Sequence, residues 1–229
     1  FRAKNTKASQ VQSRIKMLEK MEDVQLPQAI VRRGRIRLAH PPHCGSEIIR
    51  LENAGLTYDG NRWVLRGVNL NIMRGEKIAL AGLNGLGKTT LLRLLAGQIP
   101  VSEGSRILGH KVVVGYQAQE SAETMAPGDT VFATVKQVAP NVPDKDIRTL
   151  LGGFGFSGEA VDKKVAVLSG GEKIRLAFAR LLVVPPNFLL LDEPTTHLDI
   201  DAREALEDAL SGYEGTLCFV SHDVEFVRH

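Results

Sequence analysis

No stretch of this chain is long and apolar enough to cross a bilayer, which takes roughly 18 residues or more; the densest run, Phe188-Leu189-Leu190-Leu191, has the length of a strand. Cysteine is nearly absent too. Cys44 and Cys218 stand alone, without the spacing of a metal site, so reduced structural thiols and a cytoplasmic address are expected. His40, His43 and Cys44 could be imagined around a metal, but Pro41 and Pro42 break the loop and no fourth ligand follows. No metal is assigned there. Low-complexity tracts are few, and 43% apolar content in 229 residues is enough for one good core divided into lobes.

Residues 1–22 contain neither proline nor glycine, and Ala8, Val11, Ile15 and Leu18 recur at spacings of three and four. That pattern predicts a helix with a narrow apolar seam that wants a partner helix. Arg2, Lys4, Lys7, Arg14, Lys16 and Lys20 occupy much of the remaining surface, so the stretch reads as half of a basic hairpin or coiled coil whose other half would precede Phe1. The net charge of +3 conceals this arm: residues 1–38 hold ten Lys and Arg against three Asp and Glu, or +7, and the rest balances at −4. A polyanion partner for the arm is expected, with an ordinary solvated helix face as the competing explanation.

Leu26-Pro27 ends the helix, and a strand-like 30–38 leads to the break at His40-Pro41-Pro42-His43. From residue 48 the signals are short and alternating, over 48–52, 56–59, 63–65 and 68–72, with turns at Asp59-Gly60-Asn61 and Arg74-Gly75-Glu76; an antiparallel layer is expected. Residues 111–116 read as a further strand, and 121–165 read mainly as helices with Val131, Val135, Val138, Ile147, Leu150 and Leu151 at helical spacing. Ser169 and Glu172 have capping-box spacing, ahead of a helix whose apolar face is Ile174, Ala177, Phe178, Leu181 and Leu182. A strand at 188–191, a helix from Asp201 through Leu210, a strand at 216–220 and the start of another helix complete the chain.

The stretch Gly82-Leu83-Asn84-Gly85-Leu86-Gly87-Lys88-Thr89-Thr90 matches the pattern G-x-x-x-x-G-K-[ST] in full. It follows an apolar strand signal at 77–81 and opens a helical run, Leu91, Leu92, Leu94 and Leu95, closed by Gly97. In that order, the loop's N–H groups and those of the new helix converge into a nest for polyphosphate oxygens. Lys88 adds a mobile cation, the glycines allow close approach, and the Thr89 hydroxyl can ligate magnesium. A glycine turn that merely joined strand to helix would not need lysine and threonine at the helix mouth.

Ligands of an open α/β sheet sit beyond the carboxyl ends of its strands, and three strand ends here deliver chemistry: the glycine loop, Asp192-Glu193 and His222. Asp192 suits an acid that holds magnesium opposite Thr89, and Glu193 can act on an attacking water.

GLNGLGKT, LSGGE, LLLLDEPT, THLD and VSHD, in this order, resemble the motifs of an ATP-binding cassette (ABC) ATPase over residues 48–229. The resemblance implies a P-loop NTPase of ABC type: a mainly parallel core sheet with an antiparallel β layer and an inserted helical subdomain at about 121–180. It implies ATP and Mg2+ as cofactors, Tyr58 stacking on adenine, and the loop from Gly82 to Thr90 with Asp192 around the phosphates. Glu193, His222 and Gln119 would be catalytic, and Thr89, Gln119 and Asp192 would face the metal. Asp199 would belong to the D-loop. Ser169, Gly170, Gly171 and Glu172 would address ATP held by an opposing cassette. Two alternatives stay open: Gln117 in place of Gln119, and Tyr58 as a core aromatic. Ser169 could also simply cap its helix, which leaves the two glycines unexplained.

Thr195-Thr196-His197-Leu198-Asp199 with the preceding basic helix is similar to the second half of an ABC-F protein. Thr196 replaces the usual Asn and Leu86 the usual Ala, the latter adding bulk beside the phosphates. The implied organisation is a linker helix at 1–25, a connecting segment at 26–47, and a C-terminally truncated ATPase domain at 48–229. The implied function is an ATP-hydrolysing cassette that closes on a second cassette of the same chain and meets ribosomal RNA and tRNA through the basic linker. A nucleotide-binding subunit of a membrane transporter is the alternative, and a DNA-repair ATPase ranks below it because no coiled coil interrupts the cassette.

Overall fold

The computed structural model describes residues 36, 38–118, 125–196, 198 and 200–221, all within the compact unit Arg33–His229. The helix expected over 1–22, nearly all of the strand-like 30–38, and the sites at Gln119, Asp199 and His222 lie outside the described residues. Among the described residues, no helix is long and apolar enough to cross a membrane.

Two sheets organise the described residues. In the first, β1 (Glu47–Thr57) lies between β2 (Trp63–Met73) and β4 (Glu103–Leu108), all antiparallel. The four short strands expected here are two strands of 11 residues each. What looked like interruptions are register shifts, at Leu51/Ala54 and Ala54/Leu56, with Asn53 at φ 47° and Gly67 at φ 63°. A bulge adds a residue to one strand and breaks the alternation without ending the pairing. β4 carries no clear apolar alternation in EGSRIL and has no counterpart in the sequence reading.

The second sheet is parallel, in the order β3 (Lys77–Leu80), β7 (Thr216–Val220), β6 (Phe188–Asp192), β5 (Val114–Gln117). β6 and β7 are buried at every position, as strands covered on both faces must be. On one face Phe188, Leu190, Cys218 and Val220 join Leu92, Leu94 and Leu95 of α1 (Lys88–Ala96) and the inner side of the antiparallel sheet. On the other, Leu189, Leu191, Leu217 and Phe219 pack with the helices: α2 (Val131–Val138), α3 (Asp144–Gly153), α4 (Gly170–Leu182) and α5 (Ile200–Ser211). β5 starts at Val114 rather than Lys111, because Lys111 takes φ 57° and leaves the extended region.

Ile36, Leu38 and Pro42 are stapled to this body. Ile36 is buried in the helical cluster and its N–H donates to the Asp208 carboxylate on α5. Its side chain fills the space over Gly153, where any β-carbon would stand 2.6 Å from Ile36 Cγ1. Leu38 packs beside it, and the Asn187 side chain donates to Pro42 O at 3.0 Å.

Candidate active site

β3 ends at Leu80 and α1 begins at Lys88, so the glycine loop crosses the carboxyl end of the parallel sheet. Gly87 is the N-cap of α1 at φ 85°, with no side-chain cap and no acidic residue in the first turn. A β-carbon on Gly87 would meet Val64 and Leu65 at 3.2 Å, so both the left-handed backbone and the close approach of β2 call for glycine. The helix mouth therefore presents its amides and its positive dipole end without internal neutralisation. Lys88 Nζ donates to Gly82 O at 2.8 Å and Leu83 O at 2.9 Å, which holds the ammonium inside the curl of the loop. Leu83 and Leu86 are 78% and 63% exposed; the extra bulk of Leu86 is largely turned to solvent.

From the other side comes β6. Asp192 is its last residue and is 8% exposed, and its Oδ1 accepts a hydrogen bond from Thr89 Oγ1 at 3.2 Å. Burial raises its carboxyl pKa above the ordinary carboxylate range, with the Thr89 hydroxyl pulling the other way and the neighbouring Glu193 charge adding to the rise. Glu193 follows at φ 48°. Its N–H donates to Val220 O at 3.0 Å, and its carboxylate accepts from the Thr196 hydroxyl at 3.0 Å. The residue that departs from the usual motif thus holds the acid. Tyr58 is 64% exposed, with its hydroxyl 3.4 Å from Thr90 Oγ1; it is no core aromatic. Asp59 shapes the turn behind it by accepting N–H bonds from Asn61 and Arg62 at 3.0 and 2.9 Å, and these bonds lower its pKa.

Thr89 and Asp192 offer hard oxygen donors on facing elements. Among the described residues no group of three or more His, Cys, Asp and Glu could cage a metal. One carboxylate and one hydroxyl beside a polyphosphate nest fit magnesium, which keeps waters and takes few protein ligands.

The two candidate glutamines fall on different ground. Gln117 pairs with Leu191 and shares its face, lining a cleft of about 370 Å³ with Met125, Ala177 and Leu181 on the helical side. Asp192 points to the opposite face, toward α1, so Gln117 is turned away from it. The LSGGE stretch opens α4 with a complete capping box: Glu172 N–H donates to Ser169 Oγ at 3.2 Å, and Ser169 N–H donates to Glu172 Oε2 at 2.8 Å. Those bonds lower the Glu172 pKa. Sequence reasoning passed over Tyr116 and Arg93; both come to Asp192 only through sheet register and the docking of α1.

The chain matches a family model described as ABC transporter over residues 65–196, and a second model of the same description over residues 1–37. "Probable ATP-binding protein YheS" of Escherichia coli is 41% identical over 228 residues, 100% of this chain and 36% of its own length. "ABC transporter F family member 5" of Arabidopsis thaliana is 40% identical over 216 residues, 93% of this chain and 31% of its own. The chain thus spans about a third of the length of these relatives. Among solved structures, the ATP-binding cassette MJ0796, a dimer in a post-hydrolysis state bound to ADP and Pi, is 26% identical with a TM-score of 0.66 over 79% of this chain and 90% of that one. The fold is that of a P-loop ABC ATPase, and the chain belongs to the ATP-binding cassette family, on its ABC-F branch.

Proposed function

We propose that this chain is the ATP-binding and ATP-hydrolysing cassette of an ABC-F translation factor that works in the cytoplasm on the ribosome. The observation that carries the reading is the convergence of Lys88, Thr89 and Asp192 on the uncapped mouth of α1, with Glu193 next in the chain after Asp192. The loop amides and Lys88 bind the phosphates, Tyr58 stacks on the adenine, and Thr89 with Asp192 holds magnesium, which supplies charge neutralisation at the phosphates. Glu193 orients the attacking water and takes its proton, held for that task by Thr196. Gln119 and His222 complete the set as sequence assignments. In domain terms, 1–25 is a linker helix, 26–47 a connecting segment and 48–229 the ATPase domain.

One cassette does not complete its site. Leu83, Val167 and Ile200 are 78%, 70% and 77% exposed and flank the phosphate loop, the LSGGE stretch and the start of α5. Apolar side chains in those places fit burial against a second cassette, whose bound ATP would meet Ser169, Gly170, Gly171 and Glu172. ATP closes the pair, and hydrolysis reopens it. The +7 balance of residues 1–38 supports a polyanion partner, here ribosomal RNA and tRNA. No specific observation favours the transporter-subunit alternative.

The test is cosedimentation of the full-length Glu193→Gln protein with ribosomes. Turnover should fall by about 10² to 10⁴ with loss of the general base, leaving an ATP-loaded form that pellets with ribosomes in ATP and not in ADP. Pelleting that ignores the nucleotide, or none at all, overturns the ribosomal reading.

A further inference from the structure

Tyr116 lies on β5 opposite Leu190 of β6, so its side chain takes the α1 face of the sheet and packs with that cluster. Asp192, two residues beyond Leu190, projects to the same face. The hydroxyl is buried and makes no hydrogen bond of good geometry with any described residue, yet it is near enough to the Asp192 carboxylate and the Arg93 guanidinium for both to act on it. A buried phenol left in that state costs free energy, and such groups in native structures need a reason. Nothing in the packing supplies one, since phenylalanine would fill the same space. Asp192, meanwhile, has one oxygen engaged by Thr89.

We propose that Tyr116 is a positioning residue for Asp192: its hydroxyl donates to the carboxylate oxygen that does not face Thr89 when the Thr89–Asp192 pair takes up magnesium with ATP. The inference rests on the proposed ATP-binding function and names a residue outside the motifs on which that function was read. Second-shell donors of this kind fix the orientation of a ligating carboxylate, and their loss costs 10- to 100-fold in metal affinity. A role in stability predicts the reverse pattern, earlier unfolding of Tyr116→Phe with an unaltered Mg2+ dependence.

The experiment uses the full-length protein and its Tyr116→Phe variant. A fluorescent ATP analogue is titrated with Mg2+, following the binding phase that Lys88→Ala removes. The expected result is a rise of about tenfold in the Mg2+ concentration for half-maximal binding. Affinity for the analogue in EDTA should stay unchanged, and the nucleotide-free variant should unfold no earlier than the wild type. In an Asp192→Asn background the Tyr116 substitution should add nothing, as a coupled pair requires. An unaltered Mg2+ dependence, or an equal loss in EDTA, overturns the role of Tyr116 and leaves the ATP-binding reading standing. Failure of the wild-type protein to bind the analogue with Mg2+ overturns both.

Discussion

The two ends of the parallel sheet are built on opposite plans. At the amino end, polar groups are closed on one another. Asn187 is 2% exposed and makes three hydrogen bonds, accepting from Val113 N–H at 2.7 Å and donating to Pro42 O and Lys111 O at 3.0 and 2.9 Å. Lys77 donates to Tyr213 O and Gly215 O at 2.8 and 2.7 Å and lies 4.5 Å over the Tyr213 ring, while Tyr213 donates to Pro186 O at 2.6 Å. At the carboxyl end, α1 starts uncapped and a carboxylate is buried with its pKa raised. Satisfied hydrogen bonds at one end offset the unsatisfied state of the other, where groups must remain available to a ligand.

The comparison can be broken by exchanging the effects of substitutions at the two ends. The largest effect belongs to Lys88→Ala. Charge-assisted phosphate contacts contribute about 1.5–3 kcal/mol each, so calorimetric titration should show ATP affinity down by more than about 100-fold, with unfolding of the nucleotide-free protein hardly altered. Asn187→Ala should do the converse. Losing the three hydrogen bonds of this buried side chain costs about 2–3 kcal/mol of stability in denaturant titration, and ATP affinity should hold. If Asn187→Ala weakened ATP binding as much as folding, the division between the ends would be wrong.

Ser169→Ala is a smaller probe, at the helix mouth that is internally capped rather than open. Loss of the cap should cost about 1 kcal/mol and leave nucleotide affinity of this cassette unchanged; a shift in affinity without one in stability would make α4 resemble α1. The smallest expected effect is a pH trend at Lys77. Burial lowers its pKa from 10.5 to about 8, so between those values the unfolded chain binds more protons than the folded one, and stability rises with pH. Lys77 keeps more than a third of its surface in solvent, where screening keeps the effect small, and such cost as the charge carries is present in full below about pH 8. Chemical unfolding of wild type against Lys77→Met from pH 8 to 10 should show the wild type gaining ground, and a flat difference would mean that the two carbonyl acceptors hold the ammonium charged throughout.

Motifs that are continuous in sequence were the legible part of the site. A strand, a glycine loop and a helix mouth need only neighbouring residues to make their geometry, so the loop around Lys88, the Ser169–Glu172 capping box and the helix ending at Gly97 were all readable in advance. The antiparallel layer was readable as a layer and misjudged as to strand number, because bulges imitate turns when only alternation is counted. Gln117 shows the limit most clearly: nothing in Gly-Tyr-Gln-Ala-Gln says which glutamine faces α1, and only its pairing with Leu191 turns Gln117 toward the helical side.

The order of chemical groups along the chain was settled by the sequence alone, since apolar strands with polar residues at their carboxyl ends must deliver those residues to one edge of the sheet. Which groups touch was left to the tertiary structure. Thr89 meets Asp192, Tyr116 comes beside them, and Ile36 finds the gap over Gly153 through strand register and helix docking between distant segments. Those relations depend on close packing across the whole body, which no local pattern encodes.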